Sequence, residues 1–359
     1  MENKKNNDLF LNFLKNQVNK NLELSEQEIL NEFSKINDSS SFLENNRKLF
    51  RNVYFLDYLL NFILDDEINE IIVHDHKNLQ IEKYGKLKNH FMEDLSLEAY
   101  FTSLETLALK NKVLWNFSHP FASFYVQFNL ISFRASLIHE SCGIMKKSKF
   151  FLRRIRTSPF SFAEFGLTSN EEIELKNLVS KKKNILLAGA AGSGKSSLLA
   201  SLLNNIPENE HVIILEDTHE ISTSKKNFTH FLGNENLNNK SLKELCTFSL
   251  RLRPDRIILG EIRSNEIIPF VLAMNIGNKG MMSTIHADSA IDSVSRMALL
   301  FVIHGDNQAF SYEMILKLMC KNIDVVIFLK DKKITEIIRI LGSDRGLPTY
   351  DYIFKNNLS

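Results

Sequence analysis

The sequence predicts an α/β protein, with a mostly parallel sheet covered by helices in its C-terminal half. A smaller α+β domain and a short helical extension precede it. Three observations predict this. From residue 184 onward, short apolar runs alternate with helical patterns, the order that builds parallel strands under crossover helices. A glycine-rich turn joins the first of those runs to the helix after it. Between residues 51 and 155 the pattern is mixed, with strand-like runs and a tight turn.

A length of 359 residues allows two domains with their own cores and an extension of about 50 residues. The extension, 1–50, reads as short helices. Leu9, Phe10, Phe13, Leu14 and Val18 recur at helical spacing after Asp8, a good N-cap. Ser25 and Glu28 form a capping box before Ile29, Leu30, Phe33 and Ile36. Asp38, Ser39, Ser40 and Ser41 make a break, and Ser41 with Glu44 starts another helix. The α+β domain is expected over 51–155. Leu56, Leu59, Leu60, Phe62 and Ile63 suggest a buried helix, and 68–73 and 79–83 suggest strands around a turn at Tyr84, Gly85 and Lys86. Residues 124–128 and 131–137 are further strands. The third domain is expected over 156–359, with a linker at about 156–169 around Ser158 and Pro159. Its alternation runs through 184–188, 195–205, 212–215, 242–250, 256–259, 265–274, 282–285 and 290–301.

Composition narrows the partners. Lys and Arg total 44 against 43 Asp and Glu, a formal net charge of +1. A protein that works mainly on duplex nucleic acid usually carries a basic excess, so nucleic acid is not expected as a partner. Cys142, Cys246 and Cys320 are far apart and form no Cys-x-x-Cys pair. They predict neither structural zinc nor a disulfide framework, and read as small apolar residues in a reducing compartment. Residues 1–10 are polar and lack the basic-then-apolar order of a signal peptide. No apolar run approaches the roughly 20 residues that span a bilayer. The expected location is cytoplasmic, with any membrane contact made through partners.

The run Gly189, Ala190, Ala191, Gly192, Ser193, Gly194, Lys195, Ser196 fits the phosphate-binding P-loop at every fixed position. An apolar strand, Ile185 to Leu187, leads in, and a helical run from Ser197 leads out. Glycines let successive backbone N–H groups turn toward phosphates, and the helix N-terminus adds partial positive charge. Lys195 can reach the β- and γ-phosphates, and the Ser196 hydroxyl can ligate Mg²⁺. ATP and Mg²⁺ are therefore the expected cofactors. The alternative, a glycine-rich turn without nucleotide, explains neither the lysine nor the context.

Three further apolar runs end in polar groups. Residues 213–215 deliver Glu216 and Asp217, with Glu220 three residues on. Carboxylates at the C-terminal end of a strand sit where α/β ligand sites lie, and can orient water or hydrated Mg²⁺. A solvated loop explains them equally well. Residues 257–259 lead through Gly260 to Glu261, which is expected to polarise water and support Mg²⁺. Gly260 is expected to allow close packing beside the P-loop. Ser283, Thr284 and Ile285 lead to His286, suited to bonding a γ-phosphate or a carboxylate. Taken alone, His286 also reads as a satisfied structural histidine.

Together these stretches resemble one family, the secretion ATPases of type II and type IV secretion and pilus assembly. Residues 216–220 look like its Asp box, 250–263 like its atypical Walker B segment and 283–287 like its His box. Residues 67–71 and 81–85 are similar to the opening of its N-terminal domain, and 152–154 to the arginine segment before its linker. Residues 322–326 and 334–337 match its C-terminal strands. The resemblance covers about 67–356. Within the family the helical extension and the missing four-cysteine motif look like the Tad/Flp pilus assembly branch (CpaF-like), with the type IV secretion traffic ATPases as the alternative. Ala191 and Ser196 each stand where threonine is usual, and Asn278 where histidine is usual.

The resemblance implies a RecA-like ATPase that works as a homo-hexamer on an inner-membrane platform protein, at the cytoplasmic face. It implies catalytic roles for Glu216, Glu220, Glu261 and His286, and for Arg134, Arg153, Arg154 and Arg263. Arginines of the N-terminal domain approach the phosphates in this family, and interface arginines come from a neighbouring subunit. Two other functions compete. One is a nucleic-acid translocase, disfavoured by the charge balance. The other is a scaffold that binds ATP without turnover, disfavoured by the retained Lys195, Glu216 and Glu261.

Overall fold

In the computed structural model, residues 2–19, 25–36, 43–92, 95–155, 160–221, 223, 225–233, 240–305 and 310–356 are described. The chain divides into two compact units, Met1–Ile155 and Arg156–Ser359.

The first unit opens with helices α1 (Glu2–Asn19), α2 (Glu26–Ile36), α3 (Leu43–Phe55) and α4 (Leu60–Leu64). Strands β1 (Ile68–Val73), β2 (Asn78–Lys83) and β3 (Lys86–Phe91) follow. Helix α5 (Leu97–Lys110) precedes β4 (Phe121–Phe128), β5 (Ile131–Ile138) and β6 (Lys149–Ile155). The six strands form one antiparallel sheet in the order β3-β2-β1-β6-β5-β4. Tyr84 and Gly85 both have positive φ, the two-residue turn that joins β2 to β3.

The helices expected over 1–50 share a single core with the sheet. Phe10, Leu14, Ile29 and Phe50 are buried in one cluster with Ile71, Leu104, Phe133 and Phe150, and α1 packs on α3 and α5. Asp8 lies inside α1 and caps nothing, because the helix already starts at Glu2. The Ser25 box is formed: Ser25 donates from both its backbone N and its hydroxyl to the Glu28 carboxylate. The break at 38–41 lies outside the described residues. The helix suggested by Leu56 to Ile63 is split, since Leu56 takes φ 55° and a 3-10 turn intervenes before α4.

The second unit contains α6 (Ser169–Ser180), β7 (Ile185–Gly189), α7 (Lys195–Leu203), β8 (Val212–Glu216) and β9 (Phe228–Leu232). It continues through α8 (Leu242–Ser249), β10 (Arg256–Ile262), α9 (Ile267–Asn275), β11 (Met282–Ile285), α10 (Ala290–His304) and α11 (Tyr312–Asn322). It closes with β12 (Val325–Lys330), β13 (Lys333–Asp344) and β14 (Leu347–Lys355). The sheet order is β14-β13-β12-β7-β11-β10-β8-β9.

This sheet is mixed. Neighbours from β12 to β9 run parallel, whereas β12, β13 and β14 pair antiparallel. The antiparallel end of the sheet has a local cause. Asp331 and Lys332 join β12 to β13, and Arg345 and Gly346 join β13 to β14, all with positive φ. A two-residue turn reverses the chain, while a parallel neighbour needs a crossover of a dozen residues or more.

Both faces of the sheet are covered. Leu186, Ala188, Ile213, Leu215, Ile257 and Leu259 face one core. Ile185, Leu187, Val212, Ile214 and Ile258 face the other. That alternation turns every apolar residue of a short strand to use and explains the unbroken hydrophobic runs.

Near the start of β10, Arg256 is buried, with its Nε 2.6 Å and its second terminal nitrogen 3.2 Å from the Glu210 carboxylate. Lys182 stands 3.4 Å from the same carboxylate. Arg256→Ala should destabilise the second unit by about 3 kcal/mol, the low end for a broken buried pair, because Lys182 remains. Urea unfolding measures this, and a loss below about 0.5 kcal/mol, the range of ordinary surface changes, would remove the pair from the stability argument.

Candidate phosphate-binding and catalytic site

Strand β7 lies between β11 and β12 and ends at Gly189. The turn from Gly189 to Gly194 then feeds α7, whose N-cap is Gly194 at φ 97°. Gly189 cannot carry a side chain: a Cβ there would meet the Leu329 carbonyl oxygen at 2.4 Å and Ser193 Oγ at 2.6 Å. The close approach of β12 to the loop thus dictates glycine. Ala190, Ala191, Gly192 and Ser193 line one side of a cavity of about 540 Å³ whose other side is the β12–β13 turn. Ser193 Oγ is buried without a hydrogen-bond partner, an orphan donor that a phosphate oxygen would satisfy.

Lys195 is buried and folded back onto the loop. Its Nζ donates to the carbonyls of Gly189 at 3.0 Å and Ala190 at 2.8 Å, and stands 3.4 Å from His286 Nδ1. Ser196 Oγ donates to Glu220 Oε2 at 3.0 Å. Hydroxyl and carboxylate oxygens are the hard donors that Mg²⁺ takes, so this pair fits the expected ion. Ser197 follows in α7, its carbonyl accepting from Ser201 Oγ at 3.0 Å.

Glu216 ends β8 and is 4% exposed. Its Oε1 accepts the backbone N–H groups of Glu220 and Ile221, both at 2.9 Å, and its Oε2 lies 3.3 Å from His219 Nδ1. Burial pushes its carboxyl up, but the contacts to His219, His230 and the two N–H groups outweigh that and hold it below the ordinary carboxylate value. Glu216 therefore shapes the loop, and Glu220 is the carboxylate the loop delivers to Ser196. Gly260 packs beside this residue and not beside the P-loop, since a Cβ on it would lie 3.0 Å from Glu216 Cγ.

Glu261 sits within a register shift of β10, between Leu259 and Ile262. Arg263 donates from Nε to Glu261 Oε2 at 2.7 Å and from a terminal nitrogen to Asp217 Oδ2 at 2.7 Å. His286 Nε2 lies 2.7 Å from Glu261 Oε1, close but not aligned as a hydrogen bond. Burial and the Lys195 cation lower the pKa of His286, against an opposing pull from Glu261. The imidazole is therefore neutral at neutral pH. Lys195, His286, Glu261, Arg263 and Asp217 form one connected line.

The arginines of the first unit separate. Arg153 and Arg134 are directly opposite on β6 and β5 and share a face of the sheet, with Glu70 of β1 across from Arg153. Arg134 Nε donates to Ser123 Oγ at 3.2 Å. Arg154 faces the other way. It donates to the carbonyls of Ile63, Asp65 and Ile68 at 2.7 to 2.8 Å and lies over the Phe133 ring. Sequence reasoning named Asp217 beside Glu216 without its partner Arg263, and missed His219 and His230. His219 was within reach of the sequence, three residues after the strand-end acid it contacts. His230 was not, because its partner lies fourteen residues away.

A P-loop with its lysine, a hydroxyl–carboxylate pair and a strand-end glutamate defines the class: a nucleotide-binding α/β protein. Residues 123–333 match the family described as Type II/IV secretion system protein, and the chain belongs to that family. VirB11 of the type IV secretion system of Bartonella quintana is 34% identical over 170 residues, 45% of this chain and 48% of that protein. The chain spans about half the length of the curated relatives it matches. The pilus retraction motor PilT, solved with ADP, has a similar fold (TM-score 0.58, 21% identity, 84% of this chain and 83% of that one). So does the ATPase DotB of Legionella pneumophila (TM-score 0.57, 20% identity, 83% and 79%). Among the described residues no helix is long and apolar enough to cross a membrane.

Glu216→Gln should cost about 1–3 kcal/mol at neutral pH, through loss of a charged acceptor in a buried site. Because the folded carboxyl titrates below its ordinary 4.5, its contribution is present above that value and fades as pH falls through the lower folded one. The acid limb of a stability–pH curve should therefore be shallower in the variant. Parallel limbs for the two proteins would contradict the assigned role.

Proposed function

We propose that this protein is an ATP-hydrolysing motor of a secretion or pilus assembly system. It would act as a homo-hexamer at the cytoplasmic face of the inner membrane, against a platform protein. The observation that carries this is the contact of Ser196 with Glu220 at the mouth of a complete P-loop. In this reading the second unit is a RecA-like domain whose sheet ends in a hairpin extension.

The geometry supports the following residue roles. Lys195 exchanges two neutral carbonyls for phosphate oxygens, a stronger charge-assisted contact. Ser193 and the backbone of 190–197 cradle the phosphates. Ser196 and Glu220 would hold magnesium, and Glu261 would support it. Bound there, Mg²⁺ neutralises charge on the phosphates. Glu261, positioned by Arg263 and His286, polarises the attacking water. Arg153 and Arg134 are candidates to add positive charge at the γ-phosphate. Within this function the match to VirB11 favours a type IV secretion role, and the Tad/Flp pilus branch is the second reading.

Lys195→Ala should weaken ATP binding by about 1.5–3 kcal/mol, roughly 10- to 150-fold, and abolish turnover. Glu261→Gln should still bind ATP but hydrolyse it roughly 100-fold more slowly. Equilibrium binding of a fluorescent ATP analogue and steady-state phosphate release separate the two. Wild-type turnover in Lys195→Ala would sink the function. A slow phenotype confined to Glu220→Gln would move the water-activating role to that residue.

Mixing inactive Glu261→Gln with inactive Arg153→Ala tests the source of the arginine. If Arg153 serves a neighbouring copy, some mixed interfaces hold both intact parts and phosphate release should reappear. Mixtures that stay inactive would refute supply in trans, and full activity of Arg153→Ala alone would remove it from the phosphates.

A further inference from the structure

Glu216, His219 and His230 bring three potential ligand atoms within 4.8 Å of one another, and no other such group occurs among the described residues. Glu216 Oε2 is the hub, 3.3 Å from His219 Nδ1 and 3.9 Å from His230 Nδ1. In a tetrahedral zinc site with bonds of about 2.0–2.1 Å, ligand atoms lie about 3.3–3.5 Å apart. One pair already has that spacing, a second needs about half an ångström, and the two histidine nitrogens lie within 4.8 Å of each other.

Two features distinguish this group from an ordinary histidine–carboxylate contact. His230 Nδ1 is buried without a hydrogen-bond partner, an unsatisfied nitrogen 3.9 Å from the hub. The two rings meet edge to face, with centroids 5.4 Å apart, and their Nδ1 atoms lie 3.3 and 3.9 Å from the one carboxylate oxygen. Glu216 is clamped from behind by two backbone N–H groups on Oε1, the kind of outer support that orients a ligand for a metal.

We propose that Glu216, His219 and His230 form a site for a borderline transition-metal ion, Zn²⁺ in the first instance, distinct from the nucleotide's magnesium. Two imidazoles and one carboxylate match zinc, and Mg²⁺ prefers an all-oxygen octahedron. Three protein ligands leave a fourth position for water, and both histidines are partly exposed, so the ion has a way in. The metal would tie the end of β8 to β9 and to the loop at 217–221. That loop carries Glu220 to Ser196, so an ion here would stiffen the approach to the P-loop. The site stands on its own ligands, whether or not Ser196 serves a nucleotide.

Cobalt titration of the untagged, nucleotide-free full chain tests this, with Mg²⁺ in excess to occupy oxygen sites. One equivalent of Co²⁺ should raise the intense visible band of a low-coordinate ion, without the near-ultraviolet charge-transfer band of a thiolate ligand. Zn²⁺ should bleach it. His230→Gln and His219→Gln should each weaken binding by roughly 100-fold, the upper range for disturbing a metal's surroundings. Absence of a saturable band at one equivalent, or unchanged affinity in both variants, would overturn the site. Should either variant unfold, wild-type protein alone suffices: Zn²⁺ must shield His219 and His230 from diethyl pyrocarbonate, read by peptide mass spectrometry. Shielding that falls elsewhere and spares these two also overturns it.

Discussion

The carboxylate of Glu216 is the constraint on which the site depends. An acid at the end of a fully buried strand needs partners, and it finds them in the N–H groups of Glu220 and Ile221. That requirement curls the chain after β8 and fixes the position of Glu220, which reaches Ser196. It also determines the neighbouring strand, because Gly260 leaves just enough space for the Glu216 side chain. With Gly260 settled, Thr284 Oγ1 can donate to its carbonyl at 2.8 Å, locking β11 to β10 next to His286. One desolvated charge thus arranges three strand ends.

The second organising feature is the alternation of charge from Lys195 through His286 and Glu261 to Arg263 and Asp217. A neutral imidazole between a cation and an anion keeps the two apart while staying in contact with both. Lys195 is held by neutral carbonyls, weak acceptors beside a phosphate. An arriving anion therefore competes with bonds that are easily exchanged, and the remaining charges in the line stay paired.

Legibility in the sequence followed the range of the interactions. The P-loop was readable because its glycines, lysine and serine act over eight consecutive residues. The capping box at Ser25 and the turn at Tyr84 and Gly85 were equally local. The mixed sheet was harder, because Asp331 with Lys332 is an unusual pair for a turn with two positive φ angles, and no glycine marks it. Asp8 misled as a cap because α1 continues upstream through polar residues that a hydrophobic pattern does not register. Arg154 was read with Arg153, yet adjacent residues on a strand face opposite ways. Only the tertiary fold could show that its guanidinium holds three carbonyls.

The first unit has an uneven charge order in its sheet. Across the sheet, Glu82 faces Glu70, Glu70 faces Arg153, and Arg153 faces Arg134. The row is therefore sorted by sign, acids on one side and cations on the other. Like charges directly opposite each other cost roughly 0.2–1 kcal/mol per pair, and alternating the same four residues would remove both costs. Stability alone therefore does not favour this order. Sorting leaves the β5–β6 end of the row positive, a surface suited to an anion, while Arg154, on the opposite face, serves the fold.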